Sequence, residues 1–356
     1  MEDIMKTCIG ILIILMLLFT NQVYAVKVAE LPDLNRPDTM RIDKDDLFVV
    51  DLKAYHIWVY SLSTGQLKMK IGKQGQGPGE FAHFPRLDAV LPDSIYCSSA
   101  NKNLVFSRDG RLISEKTFPP PTGFNLMPVK ENFIATEFET SWETRRTIKS
   151  LVLMNSKYEK IKTIYKVLSD SNFITPNDTG EEEFRLLYNI FEYIVYKDNI
   201  FTVDSKKGFF IDVIDANGNP LYSIDIKVEP LKVTESQKKK MLDHLYAYYQ
   251  DITRLKKKSA FTFYENFPAI RQVCIDSDKI YVTTYREKDG NNEMIVLDLK
   301  GNILKTLYLP IKATKEWKML GEYDTFTIHK DVLYELIESA ETGDWVLYKT
   351  DLSTIK

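Results

Sequence analysis

The chain has 356 residues, 27% of them charged and 44% hydrophobic, with a net charge of −3. That apolar share is enough for a packed core and excludes a disordered polymer. The near-neutral balance excludes a basic nucleic-acid surface, and Lys238-Lys239-Lys240 and Lys256-Lys257-Lys258 read as solvated helix ends.

At the N-terminus, Lys6 precedes an apolar run from Ile11 to Phe19, and Val23-Tyr24-Ala25 forms a small-residue cleavage site. This is the pattern of a secretory signal. The run is shorter than the roughly 20 residues of a spanning helix. The expectation is a signal peptide over residues 1–25, one domain over residues 26–356, and an exported chain, periplasmic or extracellular, with no stable membrane anchor after cleavage. Lys6, Glu2 and Asp3 leave with the signal, so 46 basic and 48 acidic side chains remain. Cys97 and Cys274 also remain; they fall in different repeats and read as free thiols.

From residue 40 onward one unit recurs six times. Met40-Arg41-Ile42 predicts a short strand, Lys44-Asp45-Asp46 a turn, Leu47 to Asp51 a second strand, His56 to Tyr60 a third and Leu67 to Ile71 a fourth. Aligned strands place Leu47, Ile95, Phe133, Ile200, Ile280 and Val332 as equivalents. Tight turns such as Asp215-Ala216-Asn217-Gly218 and Asp298-Leu299-Lys300-Gly301 punctuate later copies. Four-stranded units at this period imply an all-β, six-bladed β-propeller, because radial packing buries every sheet face. The last repeat lacks an outer strand. Residues 26–31 have the right pattern and no local partner, so they are expected to close the ring.

Residues about 168–188 read as a loop between blades 3 and 4. Residues about 229–266 contain a helical insertion between blades 4 and 5, about 234–258, where Thr234-Glu235-Ser236-Gln237 forms a capping box. Leu242, Leu245, Tyr249, Ile252 and Leu255 form its apolar stripe. Asn177-Asp178-Thr179 reads as an ordinary turn.

Gly72-Lys73-Gln74-Gly75-Gln76-Gly77-Pro78-Gly79-Glu80-Phe81 lies between blades 1 and 2. It lacks the Gly-Lys-Ser/Thr of a P-loop. Its glycines suit positive φ, and Phe81 is placed to plug the gap. The pattern resembles the NHL-repeat type of exported bacterial six-bladed propeller. That resemblance implies a binding role, or, as in some propellers of this shape, a metal- and histidine-dependent lyase or lactonase.

Strand direction puts both insertions on the face of the inter-blade links. His56, His83 and His244 fall on that face and His329 on the other. The first three lack a metal-ligand spacing, and there is no Gly-x-Ser-x-Gly. Arg86, Arg145, Arg146, Arg271, Tyr285 and Arg286 lie near the decorated face and are the candidate binding residues; convergent arginines favour a carboxylate. The expectation is a binding or scaffolding module for a protein, peptide or glycan, without cofactor or nucleic acid. The alternative is a metal-assisted lyase or hydrolase in the central funnel, using His56, His83 and His244.

Overall fold

A computed structural model describes residues 25–118, 124–141, 146–168, 175–176, 182–185, 190–248, 259–313 and 324–355. The signal-peptide reading of residues 1–25 therefore lies almost wholly outside the described residues. Among these, no helix is long and apolar enough to cross a membrane.

In chain order, β1 (Val26–Leu31) precedes blade 1: β2 (Pro37–Asp43), β3 (Asp46–Asp51), β4 (His56–Ser61) and β5 (Leu67–Ile71). Blade 2 is β6 (Arg86–Val90), β7 (Ser94–Ser99), β8 (Lys102–Ser107) and β9 (Leu112–Thr117). Blade 3 is β10 (Phe124–Val129), β11 (Asn132–Ser141), β12 (Arg146–Met154) and β13 (Lys160–Leu168). After β14 (Thr175–Pro176) and β15 (Glu182–Arg185), blade 4 is β16 (Phe191–Tyr196), β17 (Asn199–Asp204), β18 (Phe209–Ile214) and β19 (Pro220–Ile226). Helix α1 (Glu235–Tyr248) and β20 (Ser259–Thr262) follow. Blade 5 is β21 (Gln272–Asp276), β22 (Lys279–Lys288), β23 (Asn291–Asp298) and β24 (Ile303–Leu309). Blade 6 combines β25 (Phe326–His329), β26 (Val332–Glu338) and β27 (Trp345–Asp351) with β1.

The ring closes as the sequence predicts. β1 pairs antiparallel with β27, from Val26 opposite Lys349 to Leu31 opposite Trp345. Leu31 is fully buried with Leu47, Tyr60 and Leu347, and each such side chain contributes about 1.5–3 kcal/mol. The repeat alignment holds at the second strand of every blade, with one correction. His329 pairs with Val332 as Asp43 pairs with Asp46, so the equivalent of Leu47 is Leu333, one residue after Val332. Leu333 is buried, as the inward position requires.

Local turn chemistry sets these registers. The hairpins opening blades 4, 5 and 6 place Lys197-Asp198, Ser277-Asp278 and Lys330-Asp331 at positive φ, the two-residue turn that matches strand twist. Asp215 Oδ1 accepts from the backbone of Asn217 and Asn219, and Asp298 Oδ1 from Lys300 and Asn302. The glycine loop works as a plug. Phe81 is fully buried between blades 1 and 2 and forms backbone hydrogen bonds with Lys73 and Gly75. Gly72 has φ +70°, and a Cβ there would lie 2.1 Å from the Phe81 ring.

The inserted segments differ from the expected loop and helix. β14, β15 and β20 form a small sheet in which Glu182–Arg185 run parallel to Ser259–Thr262, tying the two insertions together. Strand composition is weak in Glu182-Glu183, so this pairing depends on a partner over 70 residues away and has no local signal. The capping box is present: Gln237 N donates to Thr234 Oγ1, and Thr234 N to Gln237 Oε1. Met241, Leu242 and Tyr246 pack the helix onto Leu231, Val233, Phe261, Phe263, Phe267 and Tyr285. The predicted helical residues 249–258 lie outside the described residues, as do residues 177–179.

Candidate functional site

The first strand of each blade is innermost: β2 neighbours β6 and β25, β10 neighbours β6 and β16, and β21 neighbours β25. Side chains from these strands meet at the central axis. Arg41 of β2 is within electrostatic reach of Asp88 on β6, Tyr193 on β16 and Cys274 on β21. Only a group projecting across the axis approaches four blades at once. Arg41 keeps accessible surface although protein surrounds it, so it borders a solvent-filled channel. Its enclosure lowers its pKa, with Asp88 opposing.

Asp88 is 3% exposed. Its Oδ1 accepts from Ser98 Oγ at 3.2 Å, and its Oδ2 has no partner. Burial pushes its pKa up to about 7, against the pull of Ser98, Arg86 and Arg41. Tyr193 donates to Asn125 O and is also driven upward by burial. Nearer the decorated face, Lys149 donates to Phe191 O at 2.9 Å, and burial brings its pKa down to about 8 with Glu192 and Arg86 in reach.

Beside the channel, a cavity of about 450 Å³ opens between blades 4 and 5. The roots of the helical insertion form its walls, with Glu229, Pro230 and Leu231 on one side and Asn266, Phe267 and Pro268 on the other. Ser205, Lys206, Gly208, Thr284, Tyr285, Arg286 and Glu293 complete it. Tyr285 stacks on Phe267 at 4.8 Å between centroids. Its hydroxyl pKa is raised to about 12 by burial, with Arg271, Asp324 and Glu192 in reach. Thr284 Oγ1 donates to Glu293 Oε2 at 2.8 Å and accepts from Arg286 N, while the Arg286 guanidinium donates to Glu229 O. Asn266 Oδ1 is buried without a partner.

A family model for the 6-bladed beta-propeller matches residues 29–295. The chain belongs to that family. No curated protein matches its sequence. Among solved structures, this propeller is similar to a candidate exported protein of Bacteroides fragilis NCTC 9343, with 16% identity over 94% of this chain and 95% of the other, TM-score 0.54. It also resembles the Cps50 (Swd1) propeller domain of Myceliophteria thermophila, 12% identical over 91% and 99%, TM-score 0.41. A computationally designed protein, Ika8, is 10% identical over 91% and 99%, TM-score 0.42. These likenesses speak to the fold alone.

The propeller separates the residues that the sequence grouped together. Tyr285 and Arg286 line the cavity. Arg271 is buried and forms a two-point ion pair with Asp324, Nε to Oδ2 and Nη2 to Oδ1, each 3.0 Å, beneath Tyr285. It braces blades 5 and 6. Arg86 lies at the start of β6 near the channel, with Asp88 and Lys149 in reach. Arg145 lies outside the described residues, and Arg146 begins β12 with its side chain undescribed. His56 Nδ1 donates to Gly72 O at 2.7 Å. His83 is exposed, its backbone held by Ser99 Oγ. His244 stands in α1, three blades away in chain order, with its side chain undescribed. Among the described residues, no three His, Cys, Asp or Glu side chains converge as metal donors. Cys97 is buried and Cys274 half-buried, and neither is in a disulfide.

Sequence reasoning missed Arg41, Asp88, Lys149, Glu192 and Tyr193 as site residues. A signal existed: Arg41 and Asp88 are charged residues inside short apolar strands, Met40-Arg41-Ile42 and Leu87-Asp88-Ala89. On an innermost strand such a charge faces the axis.

Proposed function

We propose that this propeller is an exported binding module of the NHL-repeat kind that recognises a protein segment or glycan through its insertion-bearing face. The observation that carries the reading is the cavity between blades 4 and 5. Four chain segments build it, all from the decorated face: the turn of blade 4, the hairpin of blade 5 and the two roots of the insertion. Its aromatic and proline walls provide apolar contact. Glu229, Glu265, Glu293, Lys206 and Arg286 provide polar contact for amide or hydroxyl groups. Pockets of this size and mixed lining hold a small ligand or one anchoring unit of a larger one. Loops on a rigid scaffold commonly carry such recognition. Export is supported by the signal-like N-terminus and by the similarity to the Bacteroides fragilis protein.

The test is a glycan array and a displayed random-heptapeptide library, both probed with the chain lacking residues 1–25. A retained glycan or peptide should lose about tenfold or more in affinity with Tyr285→Ala or Arg286→Ala. It should be indifferent to Asn217→Ala and Lys300→Ala on the opposite face. Sensitivity at those turns, with none at Tyr285, would move the site to the other end of the propeller.

A further inference from the structure

We propose that the central channel holds a second, separate site, for a carboxylate group bound between Arg41 and Asp88. The inference is independent of the cavity between blades 4 and 5.

Two unmet polar groups lie on the neighbouring innermost strands β2 and β6, within electrostatic reach of each other. The Arg41 guanidinium makes no hydrogen bond to any described residue, although Asp88 lies within electrostatic reach. Asp88 is buried with Oδ2 unpartnered. A buried carboxyl oxygen without a partner costs on the order of 1–3 kcal/mol, so a bound group that meets it is favoured. Asp88 lies within reach of cationic Arg41 and Arg86, and Arg86 in turn within reach of Lys149, which also has acidic Glu192 near it. Tyr193 and Cys274 also face Arg41, and Cys97 faces Asp88. Burial favours the neutral form of Asp88, which leaves positive charge in excess. An anion therefore fits better than a cation.

Carboxylate is the favoured anion. Neutral Asp88 would donate its proton as a hydrogen bond to one ligand oxygen, while the Arg41 guanidinium supplies its paired donors to the planar carboxylate. Lys149, with one donor already on Phe191 O, adds charge from the decorated side. The accessible surface of Arg41 and Arg86 shows room at the axis. The carboxylate could belong to a free organic acid or to an acidic peptide side chain, which share this chemistry.

Calorimetric titration of the chain lacking residues 1–25 distinguishes them. The probes are succinate, N-acetyl-Gly-Asp-Gly-amide, their neutral counterparts succinamide and the Asn peptide, and inorganic phosphate. At least one carboxylate probe should bind saturably by roughly 10 mM, about tenfold tighter than its amide and tighter than phosphate. Binding should weaken from about pH 5.5 to about pH 8, as Asp88 loses the donated proton. Arg41→Gln should weaken it about tenfold, and Asp88→Asn, whose amide still donates but does not titrate, should keep binding and remove its weakening towards pH 8, whereas Arg286→Gln should leave it unchanged. Succinate preferred over the peptide marks a free acid, and the reverse marks a peptide side chain. The proposal is overturned by no saturable carboxylate binding, by equal binding of the amides, by tighter binding of phosphate, or by binding whose strength and pH dependence are indifferent to both channel variants. If Arg41→Gln does not fold, the wild-type pH dependence and the amide comparison decide.

Discussion

The gap between blades 1 and 2 and the gap between blades 2 and 3 are flanked by the same kind of four-stranded sheet, yet they bury different chemistry. The first is a sealed apolar wedge: Phe48, Ile57, Phe81, Ile95, Leu104 and Phe106 pack together, with Phe81 and Phe106 edge to face. The second is also largely apolar, with Leu126, Ala135, Val152 and Met154 buried beside Phe133 and Tyr158, which stack at 4.9 Å, and Lys116 over Tyr158. Towards the axis it holds Asp88 and Ser98. A repeated backbone thus leaves the content of each gap open. One gap is filled for stability. The other accepts a buried acid at a cost, and it does so beside the channel, where a ligand could repay it.

Removing the plug should give the largest effect. Phe81→Ala deletes a fully buried ring from a wedge whose neighbours belong to two rigid sheets, so the space cannot collapse easily. Unfolding free energy in urea should fall by about 3–5 kcal/mol. A loss below roughly 1 kcal/mol would show that the glycine loop is not a structural plug.

Asp88→Asn should act in the opposite direction and only at high pH. The folded pKa of about 7 lies above the ordinary carboxylate value of 3.8. The folded state therefore binds more protons than the unfolded state between these values. The contribution of Asp88 to stability falls as pH rises from about 4 to about 7 and then levels off. The shift corresponds to roughly 4 kcal/mol as an upper bound. A buried amide still costs something, so the variant should gain about 2 kcal/mol at pH 8 and little at pH 5. Melting curves at the two pH values check this. An equal change at both would remove the titration of Asp88 as its cause.

The same contrast explains what the sequence made legible. Blade count, closure by residues 26–31 and the plug at Phe81 follow from periodicity and turn chemistry, which are local. Arg86, Tyr285 and Arg286 were reachable because strand direction assigns a face. Asp88 and Arg41 were passed over because their meaning depends on which strand is innermost, a property of the closed ring. The pairing of Glu182–Arg185 with Ser259–Thr262 had no local signal at all. Arg271 reads as a candidate binding arginine because nothing near it in sequence announces Asp324, 53 residues away.

The smallest effect sharpens the reading of the glycine loop, in which sequence treats Gly77 and Gly79 alike. The structure separates them. Gly79 has φ +72°, and an added Cβ would meet only ordinary contacts at 3.7 Å. Its cost is therefore conformational, about 1–2 kcal/mol for a residue forced into the left-handed region. Gly77 is not in that region, and its nearest obstacle is Glu80 Oε2 at 3.1 Å, the free end of a flexible side chain. That oxygen also accepts from Gly77 N at 2.8 Å, and a small outward shift would preserve the bond. Gly77→Ala should therefore cost less than about 0.5 kcal/mol, while Gly79→Ala lowers the melting temperature measurably. Equal losses at the two positions would mean that crowding around Glu80, rather than backbone conformation, determines which glycines this loop requires.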